Sequence, residues 1–286
     1  VHTTTEPLLR VSGLSARIGD LPLVQEVGFE VHRGRTLAVV GESGSGKSIT
    51  AAAVMGILPP QITAEGSVFF DGTELLGEPA KRRRARGGAE IGYVFQEPMS
   101  ALHPLLRIGT QMIRPLRHHL GLGRREARDQ ALELLEQVGL GRERKVLDAY
   151  VHELSGGMRQ RVMIAMAISC RPRLLLADEP TTALDPTVQQ QILGLLVRLR
   201  EQLDLALVLI SHDLGLVARH SDEVLVMYDG RVVEQGPTAQ VVDRPEHPYT
   251  RALIDAAPRL GRRPDRLPTI DGAVLEQTRA MAGGAR

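Results

Sequence analysis

At 286 residues, with 43% hydrophobic and 24% charged residues, the sequence is long and apolar enough to bury a core, which excludes a disordered chain. Lys plus Arg (35) nearly balances Asp plus Glu (34), giving a formal charge of +1, and aromatic residues are only 3%, so the basic field and stacking platforms of a nucleic-acid binder are missing. A lone cysteine, Cys170, rules out a disulfide or a cysteine-ligated cluster within the sequence, and no apolar run approaches the roughly 18 residues of a membrane span.

No charged-then-apolar leader opens the sequence, and a protein of the reducing cytosol is expected. The first elements read as strands: "LLRVSGLSARI", "LVQEVGFEV", the turn "HRGR" and the apolar "TLAVVG". That last strand opens into the glycine-rich "GESGSGKS", after which "SITAAAVMGIL" reads as a helix closed by Pro59 and Pro60. "GSVFFDG" and "EIGYVF" are further strands. The run "KRRRARGG" between them reads as a solvated loop, because no periodic basic face accompanies it.

From Arg107 to about Leu140 the period becomes helical, with Ala127, Ala131, Leu134, Leu135 and Val138 spaced for one buried face. This predicts a helical insert in an α/β chain. "RLLLADEP" and "LALVLISHD" then have the nearly all-apolar character of parallel strands covered on both faces, and "TVQQQILGLLVRLREQL" between them reads as a helix. Near the end, "HPYTRAL" (His247 to Leu253) reads as a helix start, and the polar "MAGGAR" is expected to fray.

The spacing of Gly41, Gly46, Lys47 and Ser48 matches G-x-x-x-x-G-K-[ST], between a buried-type strand and a helix. Glycines let backbone N–H groups wrap phosphates, Lys47 reaches the β- and γ-phosphates, and Ser48 is placed to ligate Mg2+. The second half is "LLLADEP". Its strand delivers Asp178 and Glu179 to the carboxyl end, where ligands of α/β sheets collect. Asp178 is expected in the Mg2+ shell, leaving Glu179 to orient and deprotonate the attacking water. Gln96 and His212 also follow strands, so all these strand ends converge on one nucleotide. A further stretch, "ELSGGMRQR", sets Ser155, Gly156 and Gly157 before a helix expected to begin at Met158, an anion site too far along the insert to serve its own nucleotide.

In this order, "GESGSGKS", Gln96, "LSGGMRQR", "LLLADEP", "ALD" and His212 resemble the ATPase subunit of an ATP-binding-cassette transporter. The resemblance covers roughly residues 7 to 240 and implies a P-loop NTPase core, an N-terminal antiparallel β subdomain and an inserted α-helical subdomain at about 100–168. It carries nucleotide contact onto Gly41, Glu42, Ser43, Gly44, Ser45, Gly46, Lys47, Ser48 and Ile49. It implies that Ser155, Gly156, Gly157 and Gln160 meet the ATP of the other subunit in a head-to-tail dimer, and it adds Asp185 to the nucleotide contacts. Catalysis falls to Glu179, His212 and Gln96, and the Mg2+ shell to Ser48, Gln96 and Asp178. Gln96 and the insert are implied to couple ATP to the membrane subunits, whose coupling helix is expected to dock on the surface around "EPMSALHP".

"YVFQEPMSALHP", "MRQRVMIAMAI", "ADEPTTALD" and above all "HPYTRAL" are similar to the peptide and nickel importer branch, with residues 241–286 as its C-terminal extension. The resemblance implies two membrane-spanning permease subunits, a second ATPase subunit (identical or a paralogue), an extracytoplasmic binding protein, and a peripheral place on the cytoplasmic face of the membrane. The cargo expected first is peptide. Nickel or a metal chelate is the alternative, encouraged by "GILPPQITAEG", and a soluble cassette protein of DNA repair or translation is remote, since one signature and no long coiled-coil insertion are present. The sequence departs from the branch where Ile18 replaces a base-stacking aromatic, His103 an Asn, and Val151 a Pro. After "LPTIDG" no cysteine-rich tail follows, so that tail's iron–sulfur cluster is not expected.

Overall fold

The computed structural model describes residues 6–141, 144–256 and 278. The chain divides into two compact units: a terminal unit built from residues 1–78 and 208–286, and a central unit from residues 79–207.

The terminal unit opens with β1 (Leu9–Ile18) and β2 (Leu21–Val31), antiparallel and joined across Gly19 and Asp20. Leu9, Val11, Leu14 and Ala16 of β1 are buried while Arg10 and Ser12 are exposed, the alternation of a sheet with one wet face. A bulge at Gly13, whose φ is 58°, resets the register so that Leu14 still faces inward. The chain continues through β3 (Thr36–Val40), α1 (Lys47–Met55), β4 (Ile62–Phe70) and β5 (Thr73–Glu74). β2, β1, β4 and β5 lie in that order in one antiparallel sheet, the expected N-terminal β portion. α1 stops sooner than its prolines imply. Gly56 takes φ 74° and its N–H and that of Ile57 turn back to Ala53 and Ala52, the left-handed stop that glycine makes at low cost.

The central unit contains α2 (Ala80–Arg86), β6 (Ile91–Val94), α3 (Pro98–Ala101), α4 (Ile108–Leu120), α5 (Arg124–Gln137), α6 (Arg144–Asp148), α7 (Gly156–Ala167), β7 (Leu174–Asp178) and α8 (Pro186–Leu203). The basic run expected as a loop is therefore a short helix. Glu90 draws it into the fold by accepting from Arg86 one turn away at 3.2 Å and from Arg173 at 2.6 Å, the second a contact between residues 83 apart that a periodicity argument does not find. β6 and β7 are parallel, and a side chain at Gly92 would meet the Ala167 carbonyl at 2.4 Å, so only glycine lets the end of α7 approach β6 this closely. Ala127, Ala131, Leu134, Leu135 and Val138 are all buried, as their spacing predicts. α5 packs on α4 and α7.

β8 (Ala206–Ser211), buried along its whole length, carries the chain back to the terminal unit. There α9 (Leu214–Val217), β9 (Glu223–Tyr228), β10 (Arg231–Pro237), α10 (Thr238–Asp243) and α11 (Pro248–Ala256) follow. β9 pairs parallel with β3, from Leu37 opposite Glu223 to Val40 opposite Val226, and antiparallel with β10. α11 begins inside "HPYTRAL", as read. "LPTIDG" and "MAGGAR" lie outside the described residues.

Candidate functional site

The phosphate-type loop belongs to the terminal unit. β3 delivers it: all five residues of that strand are buried, so the strand end is rigidly placed. Gly41, Gly44 and Gly46 then adopt φ values of 154°, 84° and 95°. A Cβ on Gly41 would lie 2.1 Å from the Met227 carbonyl oxygen of β9, and one on Gly46 would lie 2.9 Å from that of Leu23 in β2. Neither position tolerates a side chain, so the backbone of the loop keeps the open curve that suits a phosphate. Lys47 is only 4% exposed, yet its Nζ donates to the carbonyls of Gly41 (2.8 Å) and Glu42 (2.7 Å) and to Ser45 Oγ at 3.4 Å. A buried ammonium needs such partners. It is thereby aimed into the concavity of its own loop, while Ser43, Gly44 and Ser48 stay exposed and Ile49 is half-buried.

The two expected carboxylates lie in the central unit at the end of β7, Asp178 5% and Glu179 8% exposed. Tyr93 donates its hydroxyl to Asp178 Oδ2 at 3.0 Å. Burial, and then the Asp178 charge, hold that phenol proton on well above the usual range, so Tyr93 remains a donor. Glu179 stands in the left-handed region at φ 44°, a conformation that is costly for a residue with a side chain and is met at functional sites. Its Oε2 accepts from Gln96 Nε2 at 3.2 Å and from Thr182 Oγ1 at 2.8 Å. Gln96 and Glu179 are thus brought together. Donating through its nitrogen leaves Gln96 an amide oxygen as acceptor. Hydroxyl, carboxylate and amide oxygens are the hard donor set that suits Mg2+, so Ser48, Asp178 and Gln96 fit that ion by type.

The signature stretch also belongs to the central unit, and here the helix starts earlier than expected. Gly156 and Gly157 are already its first turn, with Ser155 as N-cap accepting from the Met158 N–H at 3.3 Å. Gly157 has a packing reason as well: a Cβ there would press on Val188 Cγ1 at 3.1 Å, whereas one at Gly156 would meet Leu184 at an ordinary 3.5 Å. Leu184 and Val188 flank Asp185, which caps α8 by accepting from the N–H groups of Thr187 (3.1 Å) and Val188 (3.0 Å). The signature turn and the "ALD" turn therefore pack together, and Ser155, Gly156 and Asp185 are within reach of solvent. Gln160 differs. It is 2% exposed, with its Nε2 unpartnered among the described residues.

His212 directly follows β8 and is exposed; the next residue, Asp213, caps α9 by accepting from the Leu216 N–H at 2.9 Å. Three supporting hydroxyls escaped the sequence reading. Tyr93 and Thr182 hold the carboxylates, and Tyr249, 0% exposed in α11, accepts the Glu42 N–H of the phosphate loop at 3.1 Å. "HPYTRAL" was the visible signal for Tyr249, but as a mark of kinship rather than of contact. Ile18 stands 41% exposed at the tip of β1, opposite Leu21, which is 61% exposed, an apolar edge with no ring.

Residues 24–182 match the family described as ABC transporter, and residues 233–285 the family described as oligopeptide/dipeptide transporter, C-terminal region. The dipeptide transport ATP-binding protein DppD of Escherichia coli is 45% identical over 273 residues, spanning 93% of this chain and 83% of that protein. The oligopeptide transport ATP-binding protein OppD of Haemophilus influenzae is 45% identical over 270 residues, spanning 93% of this chain and 84% of its own length. Among solved structures, a dimeric ATP-binding cassette in a post-hydrolysis state bound to ADP and Pi superposes with a TM-score of 0.71 at 27% identity, covering 80% of this chain and 98% of that one.

Proposed function

The chain belongs to the ABC transporter family, and from that premise we propose that it is the ATP-hydrolysing subunit of a peptide importer. It is an ATPase. The observation that carries the reading is the loop around Lys47, whose buried ammonium is turned into a cradle of glycines in left-handed or extended positive-φ backbone. The peptide cargo rests on relatives that carry dipeptide and oligopeptide transport in their names and on the matched C-terminal region.

In the proposed reaction Lys47 exchanges its backbone carbonyls for the β- and γ-phosphate oxygens of ATP, while the N–H groups of Gly44 to Ser48 bind the remaining oxygens. Ser48, Asp178 and Gln96 would hold Mg2+, which would supply charge neutralisation to the phosphate oxygens. Glu179 takes a proton from the attacking water as its oxygen bonds to the γ-phosphorus, and the bond to the bridging oxygen of ADP breaks. Thr182 and Gln96 fix the Glu179 carboxylate for that transfer. His212 donates to the γ-phosphate from the end of β8. Ser155, Gly156 and Gly157, with Asp185, receive the ATP of a second ATPase subunit, so nucleotide joins the two chains.

Among the described residues no helix is long and apolar enough to cross a membrane. The proposed place is peripheral, on the cytoplasmic face, held by two permease subunits that a binding protein supplies with cargo from the other side. Residues 7–240 form the cassette in this reading, with the helices from Pro98 to Ala167 as its insert. The test is reconstitution of the chain with its permeases, companion ATPase and binding protein in vesicles. ATP turnover stimulated by di- or oligopeptide is expected. Stimulation by a nickel chelate and not by peptide would overturn the cargo, and an absence of ATP hydrolysis would overturn the reading itself.

A further inference from the structure

The geometry points to Tyr249 as a positioning residue for the phosphate loop: the helix that opens with "HPYTRAL" reaches the second residue of the loop and fixes how the chain grips ATP. This deepens the ATPase reading and rests on it. The Glu42 backbone N–H donates to Tyr249 Oη at 3.1 Å, joining residues 207 apart in sequence. Tyr249 is completely buried. Burial pushes its hydroxyl up to about 12, so the group that accepts from Glu42 is a neutral phenol.

The tyrosine is itself held from two directions. Its ring lies 4.7 Å from that of Tyr228, tilted by 49°. Tyr228 directly follows Met227, whose carbonyl excludes a side chain at Gly41, and precedes the turn in which the Gly230 N–H donates to the Ser45 carbonyl at 3.2 Å. The loop is therefore pinned on both sides of its concavity, at Glu42 by α11 and at Ser45 by the β9–β10 turn.

The start of α11 is clamped in turn. The two Glu234 carboxylate oxygens accept separately from the N–H groups of Glu246 (2.9 Å) and His247 (3.0 Å), and His247 Nδ1 accepts from the Tyr249 N–H at 3.1 Å. Burial lowers the His247 pKa, consistent with an imidazole that accepts at Nδ1. A line of hydrogen bonds thus runs from β10 through the first turn of α11 to the loop.

Tyr249→Phe keeps the ring and removes the acceptor. In the whole chain, its dissociation constant and KM for ATP are expected to rise about 3–10-fold, the effect of one hydrogen bond, with kcat little changed and faster hydrogen exchange at the Glu42 amide. Glu234→Gln, which leaves one carbonyl where two N–H groups need acceptors, should shift ATP affinity the same way but less. The unaltered, nucleotide-free chain supplies a third readout, a Glu42 amide protected from exchange. An ATP dissociation constant within about twofold of the unaltered chain in Tyr249→Phe overturns the proposal, since that hydrogen bond then contributes nothing to binding. A fast-exchanging Glu42 amide in the unaltered chain overturns it without any variant. If the unaltered chain binds no ATP, the ATPase reading fails instead.

Discussion

Two helices of this molecule begin where an anion is expected, and they begin in opposite ways. α1 follows Gly46 at φ 95° with no side-chain cap, and its loop is fastened by Leu23, Met227, Gly230 and Tyr249 of its own unit. α7 follows Ser155 in ordinary extended backbone, capped by a single hydroxyl and open to solvent. One is a wrapped cradle with a buried ammonium. The other offers N–H groups and a hydroxyl on a surface, with no lysine of its own. A cradle can hold a polyphosphate alone, whereas a bare helix start contributes a modest attraction and needs the ligand delivered to it. That difference is the physical case for assigning α7 to the nucleotide of another subunit.

The comparison can be broken most severely at the carboxylates. Glu179→Gln should bind ATP but lose about 10²–10⁴ in kcat, because a positioned general base is removed while the Lys47 cradle is untouched. Single-turnover hydrolysis measures it, and near-normal turnover would take Glu179 out of its role.

Two alanine substitutions sharpen the contrast. Gly46→Ala meets the Leu23 carbonyl at 2.9 Å in left-handed backbone and should destabilise the chain by about 1–3 kcal/mol with weaker ATP binding. Gly156→Ala has an ordinary 3.5 Å contact and no positive φ, so stability should hold within about 0.5 kcal/mol. Thermal unfolding of the pair decides it. Equal losses would mean that the two glycines serve the same kind of backbone.

The smallest effect concerns the base. Ile18 and Leu21 present an apolar edge near the strand that backs Gly46, but no ring to stack on adenine. ATP and GTP should be separated by less than ~10-fold, about 1.4 kcal/mol, and Ile18→Tyr should tighten ATP. Competition binding measures both, and a strong native preference for ATP would show that another group reads the base.

What the sequence disclosed follows from how local each signal is. Lys47, Ser48, Asp178 and Glu179 were legible because a strand, a loop and a helix start lie within a few residues of one another. The buried face from Ala127 to Val138 was legible through its period. Tyr93 and Tyr249 were not, because each meets its partner across a long stretch of chain, Asp178 at a separation of 85 residues and Glu42 at 207. The helix at Ala80 to Arg86 was hidden by its charge, since Glu90, which pairs with Arg86, is itself held by Arg173 from 83 residues away. The burial of Gln160 was hidden by its motif: it occupies a recognisable position, yet α7 turns it inward.

The assignment of the two helix starts to different nucleotides is tested most directly by mixing two defective chains. Lys47→Ala spoils the cradle, and Gly156→Asp sets a carboxylate at the α7 start, where it would repel a γ-phosphate. Each alone should neither dimerise with ATP nor hydrolyse it. In a mixed dimer both lesions fall in one site and the other is whole, so with random pairing roughly a quarter of the unaltered activity should return, and ATP-dependent dimerisation with it. Mixed dimers that form by another route and recover neither would contradict the account, placing Ser155 and Gly156 at the service of their own chain.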